Sequence, residues 1–289
     1  MTTPAIFPSE GDRRSRFDAA LTVRLKPYLR AVRASGRSIL ALLLRESRTR
    51  YGRRSGGYVW ALVSPFILLV VLIASFSVLG RPPGAGDNLT IFFLTAILPI
   101  FLFRDAIARG GRALFANRVL MQYPQVNAFE VVTARTVLEF LTYLIVLAIF
   151  VFGMFAFLGL PFGEWVDRPL QLLAAGGSLF VLCYGACFLS SQIGRSFEPW
   201  NEVTGPIGRL LLLTSGLFFT LGSLPPEFLA VVKWNPVAHI IEWIRDAAIR
   251  DFTSDLYDPF FPLAVGVVFL AIGMFIDWLY RISGYDLQP

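Results

Sequence analysis

The chain alternates apolar runs of about bilayer length with shorter polar connections. A hydrocarbon layer about 30 Å thick needs about 20 mostly apolar residues in a helix, because no water inside it can satisfy an exposed backbone group. Tyr58 to Gly80 and Leu170 to Ile193 contain no charged residue, and each predicts a span. Val131 to Leu160 predicts a longer, tilted span with Arg135 and Glu139 near its start, and Pro259 to Tyr280 predicts one with Asp277 near its end. Thr204 to Leu224 carries Arg209 as its only charge. Leu89 to Phe103 is short and needs the next turn or two, with Arg104 and Asp105, to cross. Together these runs predict an all-α integral membrane fold of six transmembrane helices.

Composition agrees: 55% of the 289 residues are hydrophobic and 16% charged, too apolar for an ordinary soluble domain of that length. Orientation follows from Lys and Arg, which accumulate in cytoplasmic connections near the membrane. Residues 1–57 hold thirteen of them against Glu10, Asp12, Asp18 and Glu46, which predicts a cytoplasmic N-terminus. With six spans the connection Arg104 to Glu130 is also inside and adds Arg104, Arg109, Arg112 and Arg118. The stretch Ser223 to Asp258 then falls outside, where Glu227, Glu242, Asp246, Asp251, Asp255 and Asp258 outnumber Lys233, Arg245 and Arg250. The first long apolar run begins too late and is too long for a cleaved signal peptide, so it reads as a signal anchor. The chain divides into a basic cytoplasmic segment 1–57, a six-span domain 58–281 and a cytoplasmic tail 282–289.

Phe17 to Tyr51 mixes Leu and Ile with regularly spaced Arg, and its run Ile39 to Leu44 is too short to cross a membrane. An interfacial amphipathic helix fits, its arginines at anionic headgroups and its leucines at the acyl boundary. A plain positive-inside signal explains the same charge equally well.

Several chemistries lack their residues. The chain has no Gly-rich phosphate loop ending in Gly-Lys-Ser/Thr, and its two lysines, Lys26 and Lys233, follow no such loop. Active transport would therefore draw energy from another subunit or an ion gradient. His239 is the only histidine, which removes His-based triads and paired-histidine zinc sites. Cys183 and Cys187 sit four apart within an apolar run and read as small packing residues. No catalytic or metal-ligating set emerges, and nothing implies a nucleic acid partner.

Arg48-Thr49-Arg50-Tyr51-Gly52-Arg53-Arg54-Ser55-Gly56-Gly57-Tyr58-Val59-Trp60 joins the basic segment to the first span, followed by Pro65. Tyr58 and Trp60 suit an interfacial belt, the glycines permit a turn, and Pro65 can kink the helix. This run closely resembles the start of the first span in ABC-type polysaccharide-export permeases, the membrane subunits that export capsule, O-antigen and teichoic-acid chains. Arg48, Arg50, Tyr51, Arg53, Tyr58 and Trp60 are thus candidates for the cytoplasmic interface and entrance.

A second resemblance to that family lies in Leu224-Pro225-Pro226 followed by Trp234-Asn235-Pro236, His239, Glu242, Arg245 and Asp246. Interrupted by Trp-Asn-Pro, this moderately apolar segment predicts a re-entrant outer pair of short helices between spans five and six. His239, Glu242 and Asp246 recur at helical spacing and predict a polar face lining an exit, the alternative being a satisfied surface helix. Between spans two and three, Gly110-Gly111 precedes a short amphipathic helix from Arg112 to Leu120. The family resemblance implies a coupling helix there that sits in a groove of a nucleotide-binding subunit, with Leu114, Phe115, Asn117 and Arg118 as candidate contacts.

Charges inside spans are costly. Arg135 and Glu139, four apart, are expected to pair on one helix face, while Arg209 and Asp277 are candidates to face the interior. Their depth near the cytoplasmic ends favours structural or gating roles over substrate contact.

The resemblance implies a homodimer in the bacterial inner membrane, both termini cytoplasmic, working with two ATPase subunits that hold ATP and Mg. It also implies lipid-linked polysaccharide as cargo, with a periplasmic co-polymerase or adaptor and an outer-membrane exporter as further partners. A related exporter of a drug or small lipid shares the same plan. A membrane-bound glycosyl or acyl transferase would have only His239, Glu242 and Asp246 to work with.

Overall fold

A computed structural model describes residues 30–49, 57–123, 125–159 and 166–283. Among these residues the regular structure is helical throughout. The long helices are α1 (30–49), α2 (Gly57–Val78), α3 (Leu89–Gly110), α5 (Ala128–Leu158), α6 (Pro169–Ser196), α7 (Trp200–Thr214) and α10 (Phe260–Ser283). Three shorter ones are α4 (Ala113–Ala116), α8 (Pro226–Val232) and α9 (Pro236–Ala248).

Four helices, α3, α5, α6 and α10, are long and apolar enough to cross a membrane, and α2 is apolar over Leu62–Val78. The expected extension of the second span through Arg104 and Asp105 is present, since α3 runs to Gly110. Its start is capped by Asn88, whose side chain accepts from the Thr90 and Ile91 amides. The capping box at the start of α5 is reciprocal: Asn127 Oδ1 accepts from the Glu130 amide, and Glu130 Oε2 accepts from the Asn127 amide.

Thr204 to Leu224 is not the single spanning helix that its composition predicts. Helix α7 begins earlier, at Trp200, and stops at Thr214. At about 1.5 Å per residue its fifteen residues reach about 22 Å, short of the hydrocarbon thickness. Gly216 turns the chain at φ +86, a conformation that disfavours a side chain, and a 3-10 turn at Leu221–Ser223 follows. Ser215 and Gly216 are buried, so the break lies inside the protein.

The core forms where α3 and α6 cross and where α9 and α10 close over α6. Helix α3 is its centre, with Phe92, Phe93, Ile97 and Ile100 fully buried. Small residues set the closest approaches, as between helices in membranes. A methyl on Gly185 of α6 would collide with the Gly266 carbonyl of α10, and one on Gly194 with the Gly111 carbonyl.

Helix α1 is amphipathic, but its inner face contacts protein. Ser35, Ser38, Ile39, Leu42, Leu43 and Glu46 are buried or half-buried at three- and four-residue spacing, while Val32, Leu40, Leu44 and the arginines are exposed. Residues 1–29 and the tail from 284 lie outside the described residues, as do Arg50, Tyr51 and Arg53. Tyr58 and Trp60 lie in α2, but their side chains are outside the description too.

Candidate functional site

The first candidate surface is the connection from α3 to α5. Only Ala113–Ala116 of the expected Arg112 to Leu120 helix is α-helical, and a 3-10 turn at Leu120–Gln122 follows. The four residues named as partner contacts divide. Leu114 and Asn117 are buried, whereas Phe115 and Arg118 are exposed, with the Arg118 guanidinium carbon 4.8 Å from the Phe115 ring centre. Asn117 is committed within the chain: Nδ2 donates to the Ala113 carbonyl at 2.9 Å, and Oδ1 accepts from Arg45 Nη1 at 2.8 Å. Leu114 and Asn117 therefore hold this segment in place, and the surface offered outward is Arg112, Phe115, Arg118 and Val119. The sequence did not separate the two faces because a four-residue helix is too short to display a period. Nearby, Arg48 is exposed, and a groove of about 620 Å³ between α1 and the start of α5 is lined by Arg37, Ser38, Gln125 and Asn127 among others.

Arg135 and Glu139 do not pair with each other as expected. Arg135 Nη2 meets Glu46 of α1 at 2.8 Å, while Glu139, fully buried, takes two bonds from Arg109 Nη1 at 3.0 and 2.9 Å. Arg109 also pairs with Asp105 at 2.9 Å, and Asp105 accepts from Arg104 and from the Tyr143 hydroxyl. Each buried charge thus has a partner on a neighbouring helix, as burial requires. Asp277 is buried between Arg281, at 2.6 Å, and Arg195, at 3.6 Å. Arg209, expected to face the interior, lies on the exposed side of α7.

The second candidate site is the segment that holds α8 and α9. Trp234 is 78% exposed, Pro236 occupies the first turn of α9, and Asn235 caps it by accepting from the Val237 amide at 3.0 Å. The same Asn235 donates through Nδ2 to Thr214 Oγ1 and Ser215 Oγ at 3.1 and 2.9 Å. One side chain therefore starts α9 and secures the point where α7 ends.

The expected exit-lining polar face is buried instead. His239, Glu242, Arg245 and Asp246 are each no more than 5% exposed. The Asp258 amide donates to His239 Nδ1, which leaves Nε2 to carry the proton and donate to the Lys233 carbonyl, both at 2.9 Å. Glu242 Oε1 accepts from the Leu221 amide and the Ser254 hydroxyl. Burial pushes the Glu242 carboxyl up from its ordinary range, against the pull of Arg245. Arg245 donates to the Phe219 carbonyl at 2.8 Å. Asp246 Oδ2 accepts from Arg168 and from the Tyr257 hydroxyl at 2.9 and 3.0 Å. Burial first, then the Asp246 carboxylate, raise the Tyr257 phenol to about 12. Helical spacing does bring these side chains together, but as ties to the flanking loops. Arg168, Ser254 and Tyr257, their partners, carried no signal in the sequence because each lies in a loop, where no helical spacing ties it to α9.

Known proteins resemble this chain over most of its length. The family model described as ABC-2 type transporter matches residues 37–249. The polysialic acid transport protein KpsM of Escherichia coli is 28% identical over 220 residues, covering 75% of this chain and 83% of that protein. The capsule polysaccharide export inner-membrane protein CtrC of Neisseria meningitidis serogroup A is 26% identical over 250 residues, covering 86% and 92%. The O-antigen export system permease protein RfbA of Myxococcus xanthus is 23% identical over 194 residues, covering 65% and 70%. The family match runs from within α1 through α9 and takes in both candidate surfaces, and this multi-pass membrane chain, helical among its described residues, belongs to the ABC-2 type transporter family.

Proposed function

We propose that this chain is the permease subunit of an ATP-driven exporter that moves a lipid-linked, capsular polysaccharide across the bacterial inner membrane. The observation that carries this is family membership together with alignment over most of the chain to relatives named for polysaccharide export. The sequence has no phosphate loop of its own, so ATP and Mg²⁺ bind a partner subunit. Two copies of the chain work with two such ATPases, which contact the exposed Phe115 and Arg118 side of the α3–α5 connection. On the far side, a periplasmic adaptor and an outer-membrane exporter receive the chain.

In this arrangement the chain crosses the membrane six times. Helices α2, α3, α5, α6 and α10 make five, and α7 with the irregular stretch to Leu224 makes a discontinuous sixth. Broken helices are tolerated at membrane depth where they are buried in protein, and the Asn235 bonds to Thr214 and Ser215 supply partners at the break. Both termini are cytoplasmic, in keeping with the arginine excess before α2 and the acidic excess around α9. Helices α8 and α9 form a re-entrant pair in the outer half of the bundle.

The test is genetic. Deleting the chain in its native host should leave polymer synthesis intact and trap the glycan in the cytoplasm, with surface polysaccharide restored by re-expression. Unchanged surface polysaccharide in the deletion strain would contradict the proposal.

A further inference from the structure

Consecutive residues of α1 hold two different parts of the protein. Arg45 donates to Asn117 in the α3–α5 connection at 2.8 Å. Glu46, next in sequence, pairs through Oε1 with Arg135 Nη2 of α5, also at 2.8 Å. About three turns earlier, Ser35 donates to Glu130 at 2.6 Å, so α1 also grips the capping box that starts α5. Helix α1 thus lies between the segment that faces the ATPase and the helix that enters the membrane.

The Glu46–Arg135 pair is incomplete. Glu46 Oε2 and Arg135 Nε are both buried, and neither has a hydrogen-bond partner. A guanidinium edge that presents Nε and Nη2 matches the two oxygens of a carboxylate, and such pairs commonly close with two parallel bonds. Here one ion-pair contact is made, Nη2 to Oε1, and one donor and one acceptor are left over on the same two side chains. Buried orphans of this kind are costly, and each asks for an explanation. A single movement satisfies both: a small slide or rotation of α1 against α5 that brings Oε2 onto Nε.

We propose that α1 transmits motion of the coupling segment to α5, with Glu46–Arg135 as a latch that is half closed in this state and fully closed in the other. Arg45 takes up the displacement through Asn117, and Glu46 passes it to α5. One turn further along α5, Glu139 carries it to Arg109 of α3. Glu46 and Arg135 are positioning residues that touch neither cargo nor nucleotide. The latch rests on the ATP-driven permease proposed above.

The experiment uses the full complex with its ATPase subunit in proteoliposomes, and reads ATPase copurification, ATP hydrolysis and glycan moved per ATP. Arg135→Lys keeps the charge and a single ion-pair contact but cannot close the fork. It should copurify and hydrolyse as wild type does while moving about tenfold less glycan per ATP, since one charge-assisted hydrogen bond is worth about a factor of ten in an equilibrium. The exchange Glu46→Arg with Arg135→Glu should recover most of that loss. If Arg135→Lys fails to assemble, Glu46→Gln, which keeps one acceptor oxygen and replaces the second with a donor that cannot accept from Nε, is read in its place with the same expectation. An assembled variant with wild-type glycan per ATP overturns the latch and leaves the permease assignment standing. A wild-type complex that moves no glycan on ATP addition overturns the permease assignment itself.

Discussion

The guanidinium carbon of Arg245 lies 3.9 Å from the centre of the Phe92 ring, a cation–π contact between residues 153 positions apart. The same group donates to the Phe219 carbonyl, so one fully buried side chain joins α9, α3 and the irregular stretch after α7. Removing it leaves a void, an unpaired carbonyl and Glu242 without its nearby cation.

Arg245→Met should therefore lower stability by about 3 kcal/mol, the scale on which a buried charged group is missed by its partners. Arg245→Lys should recover little, because an ammonium cannot both span the ring and reach the carbonyl as the planar fork does. Thermal unfolding in detergent, followed by size exclusion, measures both variants against wild type. A wild-type midpoint for the lysine variant would contradict this role.

Asn235 permits a graded test, since its oxygen caps α9 and its nitrogen serves Thr214 and Ser215. Asn235→Asp keeps the cap and loses the donor; Asn235→Ala loses both. The expected order of stability is wild type, Asp, Ala, with the loss of the cap alone worth about 1 kcal/mol. Equal midpoints for the Asp and Ala variants would show that the cap contributes nothing.

The approach of α6 to α10 predicts a contrast between two glycines of one helix. Gly185→Ala forces its methyl into the Gly266 carbonyl, whereas Gly176→Ala meets nothing within 4 Å. The first should cost about 1–3 kcal/mol or more as an overpacked site. The second should be neutral or slightly favourable in a helix. Comparing monodisperse yield after purification reads both.

At the α3–α5 connection, surface and core substitutions should fail differently. Phe115→Ser and Arg118→Glu should leave the chain folded and reduce copurification of the ATPase subunit. Leu114→Ala, by contrast, should lower thermal stability by about 2–5 kcal/mol through its cavity. Undiminished ATPase recovery with the doubly substituted surface would place the contact elsewhere.

Run length and charge made most of the helices legible. The runs at α2, α3, α5, α6 and α10 stand out because a mostly apolar stretch of near bilayer length, with its few charges close to one end, has few other uses. The break after Thr214 was invisible because Ser215 and Gly216 are small and uncharged, and the partner that secures it, Asn235, lies twenty residues on. The site was legible in part. Trp-Asn-Pro marked the start of α9, and the His239, Glu242 and Asp246 spacing marked one face. Spacing says which residues share a face, however, and not whether that face meets water or protein. For the same reason Arg135 and Glu139 suggested a local pair, while their partners Glu46 and Arg109 come from other helices.

The export assignment is decided by ATP-dependent glycan movement. The chain and its ATPase subunit, reconstituted in proteoliposomes with the ATPase outward, are given a labelled short lipid-linked glycan in the outer leaflet. Adding ATP and Mg²⁺ should carry the label into the lumen, protected from an added glycosidase, and an ATPase subunit unable to hydrolyse ATP should abolish that protection. Label that stays fully accessible with ATP present, in vesicles where the complex hydrolyses ATP, would contradict glycan export by this chain.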